Sequence, residues 1–322
     1  MGKIKTPAEF LALYRALETE LGKVIKGQTD VIRFVMLALL TDGHVLLEGY
    51  PGLGKTLLAN SLSVLVDADF KRIQFTPDLM PVDIIGTTIY NHEKNDFTVK
   101  KGPVFTNFLL ADEINRTPAK TQAALLEAMQ ERLVTIDGVD HPLDEPFITI
   151  ATQNPIELEG TYPLPEAELD RFLVKLILSY PEKEDEKSVL AMHRDGFDVR
   201  DLTGSGLKRV CSKKDFLTYK NSLSAVRVED SVINYIYEII EATRHTPGVE
   251  VGSSPRGGIA LLKLSRALAA VRGREFVVPD DVKDACPPAL RHRLILESSA
   301  ELEGNTPDHY IGLVLEQVKV PR

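Results

Sequence analysis

Eight consecutive residues, Gly49-Tyr50-Pro51-Gly52-Leu53-Gly54-Lys55-Thr56, have the types and spacing to hold a polyphosphate. Glycines at 49, 52 and 54 let the backbone wrap closely around an anion, and a helix starting there offers free N–H groups and the positive end of its dipole. In such a loop Lys55 reaches the β and γ phosphates, and the Thr56 hydroxyl serves Mg2+. Pro51, Leu53 and Leu57 complete the stretch expected to touch a nucleotide. A second signal lies downstream, where the apolar run Phe108-Leu109-Leu110-Ala111 ends in Asp112-Glu113. Asp112 at a strand end can hold Mg2+ through water, and Glu113 can orient or deprotonate an attacking water. Acidic residues after a strand also serve as ordinary helix-cap neighbours. Together with the phosphate loop, the pair points to a nucleotide site.

Three further positions could join it. Asn154, at the end of Phe147-Ile148-Thr149-Ile150-Ala151-Thr152, could hydrogen-bond a γ-phosphate or a lytic water; Asn before Pro155 is equally a turn pair. Arg171 could form a local ion pair with Asp170, or project toward a neighbouring subunit's nucleotide as an arginine finger. Val24-Ile25-Lys26-Gly27-Gln28, between two helical patterns, could contact a purine base through Val24, Ile25 and the backbone at Gly27, or be a plain connection. Residue types alone leave these alternatives open.

The elements that must position these groups read as an alternating α/β core. Val45-Leu46-Leu47 is a buried strand, and Leu57, Leu58, Leu62 and Leu65 recur at helical spacing after the loop. Upstream, Phe10, Leu11, Tyr14, Leu17 and Leu21 mark an amphipathic helix over 7–24, and Val31 to Leu40 a buried one. Phe70 to Phe75 reads as a strand, and Thr76 to Gly86 as a loop with two prolines and no periodicity. Two hairpins are expected, one across Asn91 to Asp96 and one with its turn at Asp137-Gly138. Thr117-Pro118 suggests an N-cap with proline at the first helical position, opening a helix over Ala119 to Arg132 with a core face of Ala123, Leu126 and Met129. A last strand follows at 174–178. Near residue 181 the texture changes to charged and helical, with stripes over 230–244 and 255–271, a third helix from Asp280 to Pro287-Pro288, and a last segment, Tyr310 to Val318. The expected division is therefore 1–180 as the α/β nucleotide-binding core with its N-terminal helix, and 181–322 as a helical lid.

Bulk properties narrow the function. At 322 residues the chain exceeds the size at which one core usually suffices. A net charge of −9 argues against a surface built to neutralise nucleic-acid phosphates. Cys211 and Cys286 are too few and too far apart for a disulfide framework or a cysteine-based zinc site, and the seven histidines show no ligand-like spacing. No apolar stretch approaches the ~20 residues that span a bilayer, and no signal-type run opens the chain, so the cytoplasm is the expected location.

Longer strings carry a family resemblance. Leu110-Ala111-Asp112-Glu113-Ile114-Asn115-Arg116, Gln122 to Gln130, Ala151-Thr152-Gln153-Asn154-Pro155, and Glu159 to Phe172 (E-G-T-Y-P-L-P-E-A-E-L-D-R-F) resemble the MoxR family of AAA+ ATPases. The likeness covers most of residues 20 to 300, counting Ser254-Pro255-Arg256. It implies a P-loop AAA+ domain with a parallel sheet and inserted hairpins, followed by an all-α lid. Lys55 and Thr56 then belong to Walker A, Asp112 and Glu113 to Walker B, Asn154 is sensor 1, Arg171 a trans-acting arginine finger, and Arg256 a lid residue, sensor 2, that contacts the nucleotide. The segment 76–100 matches the family's helix-2 insert and 133–143 its hairpin before sensor 1, both near the pore of a ring. The resemblance further implies ATP and Mg2+, a hexamer, and chaperone-like remodelling of client proteins, often with von Willebrand factor A domain proteins and metal-cofactor insertion. A small-molecule kinase, a non-hydrolysing nucleotide-dependent scaffold and a DNA-associated motor are the competing classes.

Overall fold

The computed structural model describes residues 5–93, 95–155 and 161–321. Lys94 in the first hairpin turn, and Glu159 and Gly160 of the family string, lie outside the described residues. The chain begins with α1 (Pro7–Val24), started by a reciprocal cap: Thr6 Oγ1 accepts the Glu9 N–H at 3.3 Å, and the Glu9 carboxylate accepts the Thr6 N–H at 2.8 Å. Next come α2 (Thr29–Leu40), β1 (Val45–Glu48), α3 (Lys55–Leu65) and β2 (Phe70–Gln74). After β2, 76–86 is not all loop as expected. Pro81 at the first helical position and the Asp83 carboxylate on the Met80 N–H at 2.9 Å start α4 (Pro81–Ile85), too short to leave a periodic pattern.

The hairpin β3 (Gly86–Asn91) and β4 (Asp96–Lys101) follows, then β5 (Phe108–Asp112) and α5 (Ala119–Glu131). Helix α5 begins at Ala119 as expected, but without the cap that Thr117-Pro118 suggests. Pro118 keeps an extended ψ of 152°, and the Thr117 hydroxyl makes no cap; the buried Gln122 amide instead donates to the Ile114 and Thr117 carbonyls at 3.1 and 3.0 Å. Its core face is correspondingly turned, so that Leu125, Leu126, Ala128 and Met129 are buried and Ala123 is exposed. The second hairpin is β6 (Leu133–Ile136) and β7 (Val139–Pro142), its turn carrying positive φ at Asp137 and Gly138. Strand β8 (Ile148–Gln153), the short α6 (Glu166–Leu169) and β9 (Val174–Ile177) complete the core.

Five strands form one parallel sheet in the order β2-β5-β8-β1-β9. Strand alternation divides its side chains between two cores: Val45 and Leu47 point into the cluster built with α1, α2 and α3, and Leu46 into the one built with α5 and the second hairpin. The remaining helices are α7 (Lys183–Arg194), α8 (Lys213–Ser222), α9 (Asp230–Thr243), α10 (Pro255–Val271), α11 (Pro279–Leu290), α12 (Ser298–Leu302) and α13 (Pro307–Gln317). This helical part also holds a ribbon of β10 (Val249–Val251) and β11 (Ile295–Leu296). Helix α11 continues through Pro287 and Pro288 because they fall in its last turn, where the Arg291 N–H still closes on the Pro287 carbonyl at 3.1 Å. Leu261, Leu264 and Leu268 of α10 belong to the same cluster as Leu17 and Leu21 of α1, so the apolar core is continuous across residue 181.

Two buried histidines fasten the sheet's surroundings. His44 Nδ1 accepts the Thr149 N–H at 2.9 Å and its Nε2 donates to the Met129 carbonyl at 3.0 Å, while His292 Nε2 donates to the Phe172 carbonyl at 3.0 Å. Burial, aided by the neighbouring Arg132, holds His44 at a pKa of about 3; burial, aided by Arg293, holds His292 well below the ordinary value of 6.5. Both rings are neutral in the folded chain and bind a proton only in the unfolded chain as pH falls below about 6.5, so stability declines on acidification by up to about 1.4 kcal/mol per pH unit for each ring. The urea midpoint is expected to fall between pH 7 and pH 5, with a shallower fall in His44→Asn. An equal slope in that variant contradicts the account.

Candidate functional site

The phosphate loop follows the C-terminal end of β1 and runs into α3. Gly52 and Gly54 have φ of 83° and 78°, a left-handed conformation that favours glycine, and nothing lies within 4 Å of where a Cβ would stand. Their requirement is therefore conformational, and it aims the first N–H groups of α3 into open space. That space is a cavity of about 690 Å³, a size suited to a small-molecule ligand. Pro51, Gly52, Leu53, Gly54, Lys55, Thr56 and Leu57 line it, facing Asp112, Glu113 and Asn154 from the ends of β5 and β8. Gly49 does not line it; its carbonyl accepts a hydrogen bond from Lys55 Nζ. Burial pulls the Lys55 ammonium down in pKa, opposed by the carboxylates of Asp112, Glu113 and Glu48.

The paired carboxylates are held differently. Asp112 Oδ1 accepts the Thr152 hydroxyl at 2.6 Å, and Oδ2 accepts Arg72 Nη2 and Nε at 2.6 and 3.1 Å. Glu113 has a left-handed backbone, φ 57°, which turns its side chain away from the strand direction. Its Oε2 accepts Gln74 Nε2 at 2.8 Å and Arg116 Nη1 at 3.1 Å, while its own N–H donates to Thr152 Oγ1 at 2.9 Å. Thr152 thus fixes both acids relative to β8. Asn154 follows that strand, nearly buried at 8% exposure.

The opposite end of the cavity is apolar. Val24 and Ile25 stand on its wall, as do Val189, Leu190 and Phe197 from α7 and the residues after it. Leu190 is 67% exposed, and α7 buries none of its residues, so its apolar face is free to meet a ligand. Gly27 is not on the wall; it packs on Asp185, and a Cβ there would come within 2.7 Å of the Asp185 carboxylate. Sequence reasoning missed the α7 wall and the Arg72-Gln74 pair. Apolar residues interrupting a charged run at 189, 190 and 197 were the available signal for the first; edge strand β2 gave none for the second.

Arg171 and Arg256 do not reach this cavity. They line a second cleft of about 400 Å³, with Asp170, Lys263, Arg293 and His44. The sheet explains why. Strands β1 and β9 are parallel and in register, Val45 beside Val174 and Glu48 beside Ile177. Arg171 precedes β9 and the phosphate loop succeeds β1, so they lie at opposite ends of the sheet, roughly 20 Å apart at about 3.3 Å per residue. Asp170 is engaged elsewhere: Oδ1 accepts the buried Arg293 Nε at 2.7 Å, and Oδ2 accepts the Ser254 hydroxyl at 2.9 Å, with Arg256 Nη1 at 3.9 Å. Among the described residues no ion pair joins Asp170 to Arg171, whose Nε is buried without a hydrogen-bond partner.

A glycine loop between β1 and α3, acids closing the neighbouring β5, an amide closing β8 and a helical lid define a P-loop ATPase of the AAA+ class. The family model "ATPase family associated with various cellular activities (AAA)" matches residues 44–174, and "AAA lid domain" matches residues 241–311. The chain is 45% identical over 96% of its length to the uncharacterized protein YeaC of Bacillus subtilis, covering 95% of that protein. It is 43% identical over 98% of its length to Chaperone MoxR1 of Mycobacterium tuberculosis, covering 84% of that one. A crystal structure of a protein assigned as an ATPase, from Cytophaga hutchinsonii, superposes with a TM-score of 0.89 at 42% identity, over 98% of this chain and 97% of that one. The chain belongs to the MoxR family of AAA+ ATPases.

The shared hydroxyl between the acids gives a stability prediction. Thr152→Val keeps volume but leaves the Glu113 N–H and one Asp112 oxygen without their partner, at a cost of about 1–3 kcal/mol. A denaturant midpoint indistinguishable from the parent contradicts the bridging role, and Thr152→Ser is expected to recover most of the loss.

Proposed function

We propose that the chain hydrolyses ATP at sites shared between adjacent copies of itself, and uses the cycle to remodel or mature partner proteins in a chaperone-like manner. Supporting this most directly is the separation of the cations from the phosphate loop. Arg171 and Arg256 stand at the far edge of the sheet from Lys55, too distant to serve the same chain's nucleotide. An arrangement in which one copy's cleft faces the next copy's cavity gives both arginines a phosphate to meet, and a closed ring, six-membered by the family's pattern, satisfies every copy equally.

The catalytic reading follows from the side chains. The loop N–H groups, the α3 dipole and Lys55 bind and orient the polyphosphate, while Val24, Ile25 and the α7 wall exclude water from the base. Thr56 and Asp112 supply hard oxygen donors to the same cavity, which fits Mg2+ if nucleotide phosphates provide most of its remaining ligands. When bound, Mg2+ neutralises charge on the transferring phosphoryl group. Glu113, released from Gln74 and Arg116, takes the proton of an attacking water, and Asn154 positions that water or the γ-phosphate. The incoming arginine stabilises the charge that develops in the transition state.

Client contact is assigned to the β3–β4 hairpin. Phe97 is 68% exposed, and Ile89, Tyr90 and Val99 are exposed beside it on a two-stranded ribbon separate from the main sheet. Exposed apolar residues concentrated on one projecting element suit a protein partner. The MoxR name carried by a chaperone relative favours a protein client over nucleic acid, consistent with the −9 charge. Von Willebrand factor A domain proteins and the delivery of a metal cofactor to an enzyme are the finer form of this reading.

Two measurements decide the catalytic part. Glu113→Gln is expected to bind ATP with parent affinity and to lose at least about 100-fold in turnover, whereas unchanged hydrolysis removes Glu113 from its role and favours a scaffold. Arg171→Ala is expected to retain nucleotide binding and lose about 1,000-fold in turnover. Mixing it with Lys55→Ala subunits, which still carry Arg171, restores part of the activity. No recovery from mixtures shown to co-assemble by sedimentation contradicts the shared site.

A further inference from the structure

The second cleft holds more charge than two arginines. Five cationic side chains, Arg132, Arg171, Arg256, Lys263 and Arg293, line it against two carboxylates, Asp42 and Asp170, a local balance of +3 in a chain whose total is −9. Both carboxylates are committed. Asp42 pairs with Arg132 at 3.2 Å and Lys220 at 3.5 Å, and Asp170 with Arg293 at 2.7 Å. Arg132 and Arg293 are further tied to backbone carbonyls, Arg132 to Asp42 at 2.8 Å and Arg293 to Phe172 at 2.7 Å. Three cations remain. Arg171 has its buried Nε unpartnered, Arg256 has only the 3.9 Å contact to Asp170, and Lys263 makes no hydrogen bond or ion pair among the described residues.

Their placement is regular. Arg256 and Lys263 are seven residues apart on α10, with Ile259 and Ala260 between them on the same cleft-facing stripe. Two helical turns put them about 10 Å apart along the axis, within reach of one extended anion. Gathering cations in a concavity without counter-charge disfavours the unliganded state, and a polyanion relieves it. We propose that Lys263 is the third cation of this cleft, and that Arg171, Arg256 and Lys263 together contact the polyphosphate of a nucleotide held by a neighbouring copy of the chain. The assignment of Lys263 rests on the intersubunit reading above and extends it by one catalytic residue.

The test uses the full-length chain at a concentration where it assembles. Lys263→Ala is expected to lower turnover about ten-fold or more. Binding of a fluorescent ATP analogue, measured separately on dilute, unassembled chain where no neighbour contributes, is expected to stay within about two-fold of the parent, because the lysine lies outside its own chain's cavity. The melting temperature is expected to be unchanged, and Lys263→Arg to keep at least about half the turnover, since the charge is preserved. Parent turnover in Lys263→Ala alongside an inactive Arg171→Ala overturns the role of Lys263 and leaves the intersubunit site standing. Parent turnover in both variants overturns the intersubunit site and the proposal with it. A loss in Lys263→Ala accompanied by a lower melting temperature, or by weaker analogue binding to the unassembled chain, also overturns the proposal, because the residue then acts on its own subunit's fold or cavity.

Discussion

Parallel pairing of β1 with β8 on one side and β9 on the other decides which groups of this chain can meet. Because these strands run in the same direction, everything that follows them shares one edge of the sheet: the phosphate loop after β1 and Asn154 after β8, with Asp112 and Glu113 ending β5 alongside. Everything that precedes them shares the other edge, including His44 before β1 and Arg171 before β9. An antiparallel neighbour would have mixed the two sets. The direction of hydrogen bonding thus keeps the two sets of groups apart within one chain, and in the proposed shared site a second copy reunites them.

The charged groups at the two edges are held in different ways. At the phosphate edge, Lys55 is partly desolvated, and the carboxylates of Asp112, Glu113 and Glu48 oppose the effect of that burial on its charge. Arg72 and Arg116 meanwhile hold the two acids in charge-assisted hydrogen bonds that an incoming ligand must exchange. At the far edge, Asp170 joins Arg293 and Ser254 and so fastens the residues before β9 to the start of α10. This clamp leaves Arg171 and Arg256 on the same cleft. Because α10 shares an apolar core with α1, the helical part is packed against the N-terminal helix as well as held to the sheet.

Much of the cavity was legible because its residues obey local rules. A glycine loop between a short apolar run and a helical stripe, and a buried strand ending in two acids, announce themselves within a few residues each. The hairpins were equally visible from alternation and an Asp-Gly turn. What escaped depended on contacts between distant segments. Asp170 and Arg171 are adjacent in sequence, which left a local ion pair and a projecting arginine equally open, and Asp170 is taken instead by Arg293, 123 residues later. Val189, Leu190 and Phe197 look like an irregular helix face until α7 lies across the mouth of the cavity. The end of α11 runs past Pro287-Pro288, which fall in its last turn, and the core face of α5 is set by what packs on it and not by its local pattern. Arg256 was placed at the nucleotide by likeness alone, and which chain's nucleotide it serves is a question of sheet direction that no single motif contains.

The account turns on one claim, that a lone chain holds only half of an ATPase site. Specific activity measured across a dilution series, with assembly followed by sedimentation in the same samples, tests it most directly. A site shared between copies predicts that turnover per chain rises with protein concentration in step with assembly and reaches a plateau once the chain is fully assembled. Turnover per chain that stays constant down to concentrations where only monomer sediments would contradict it.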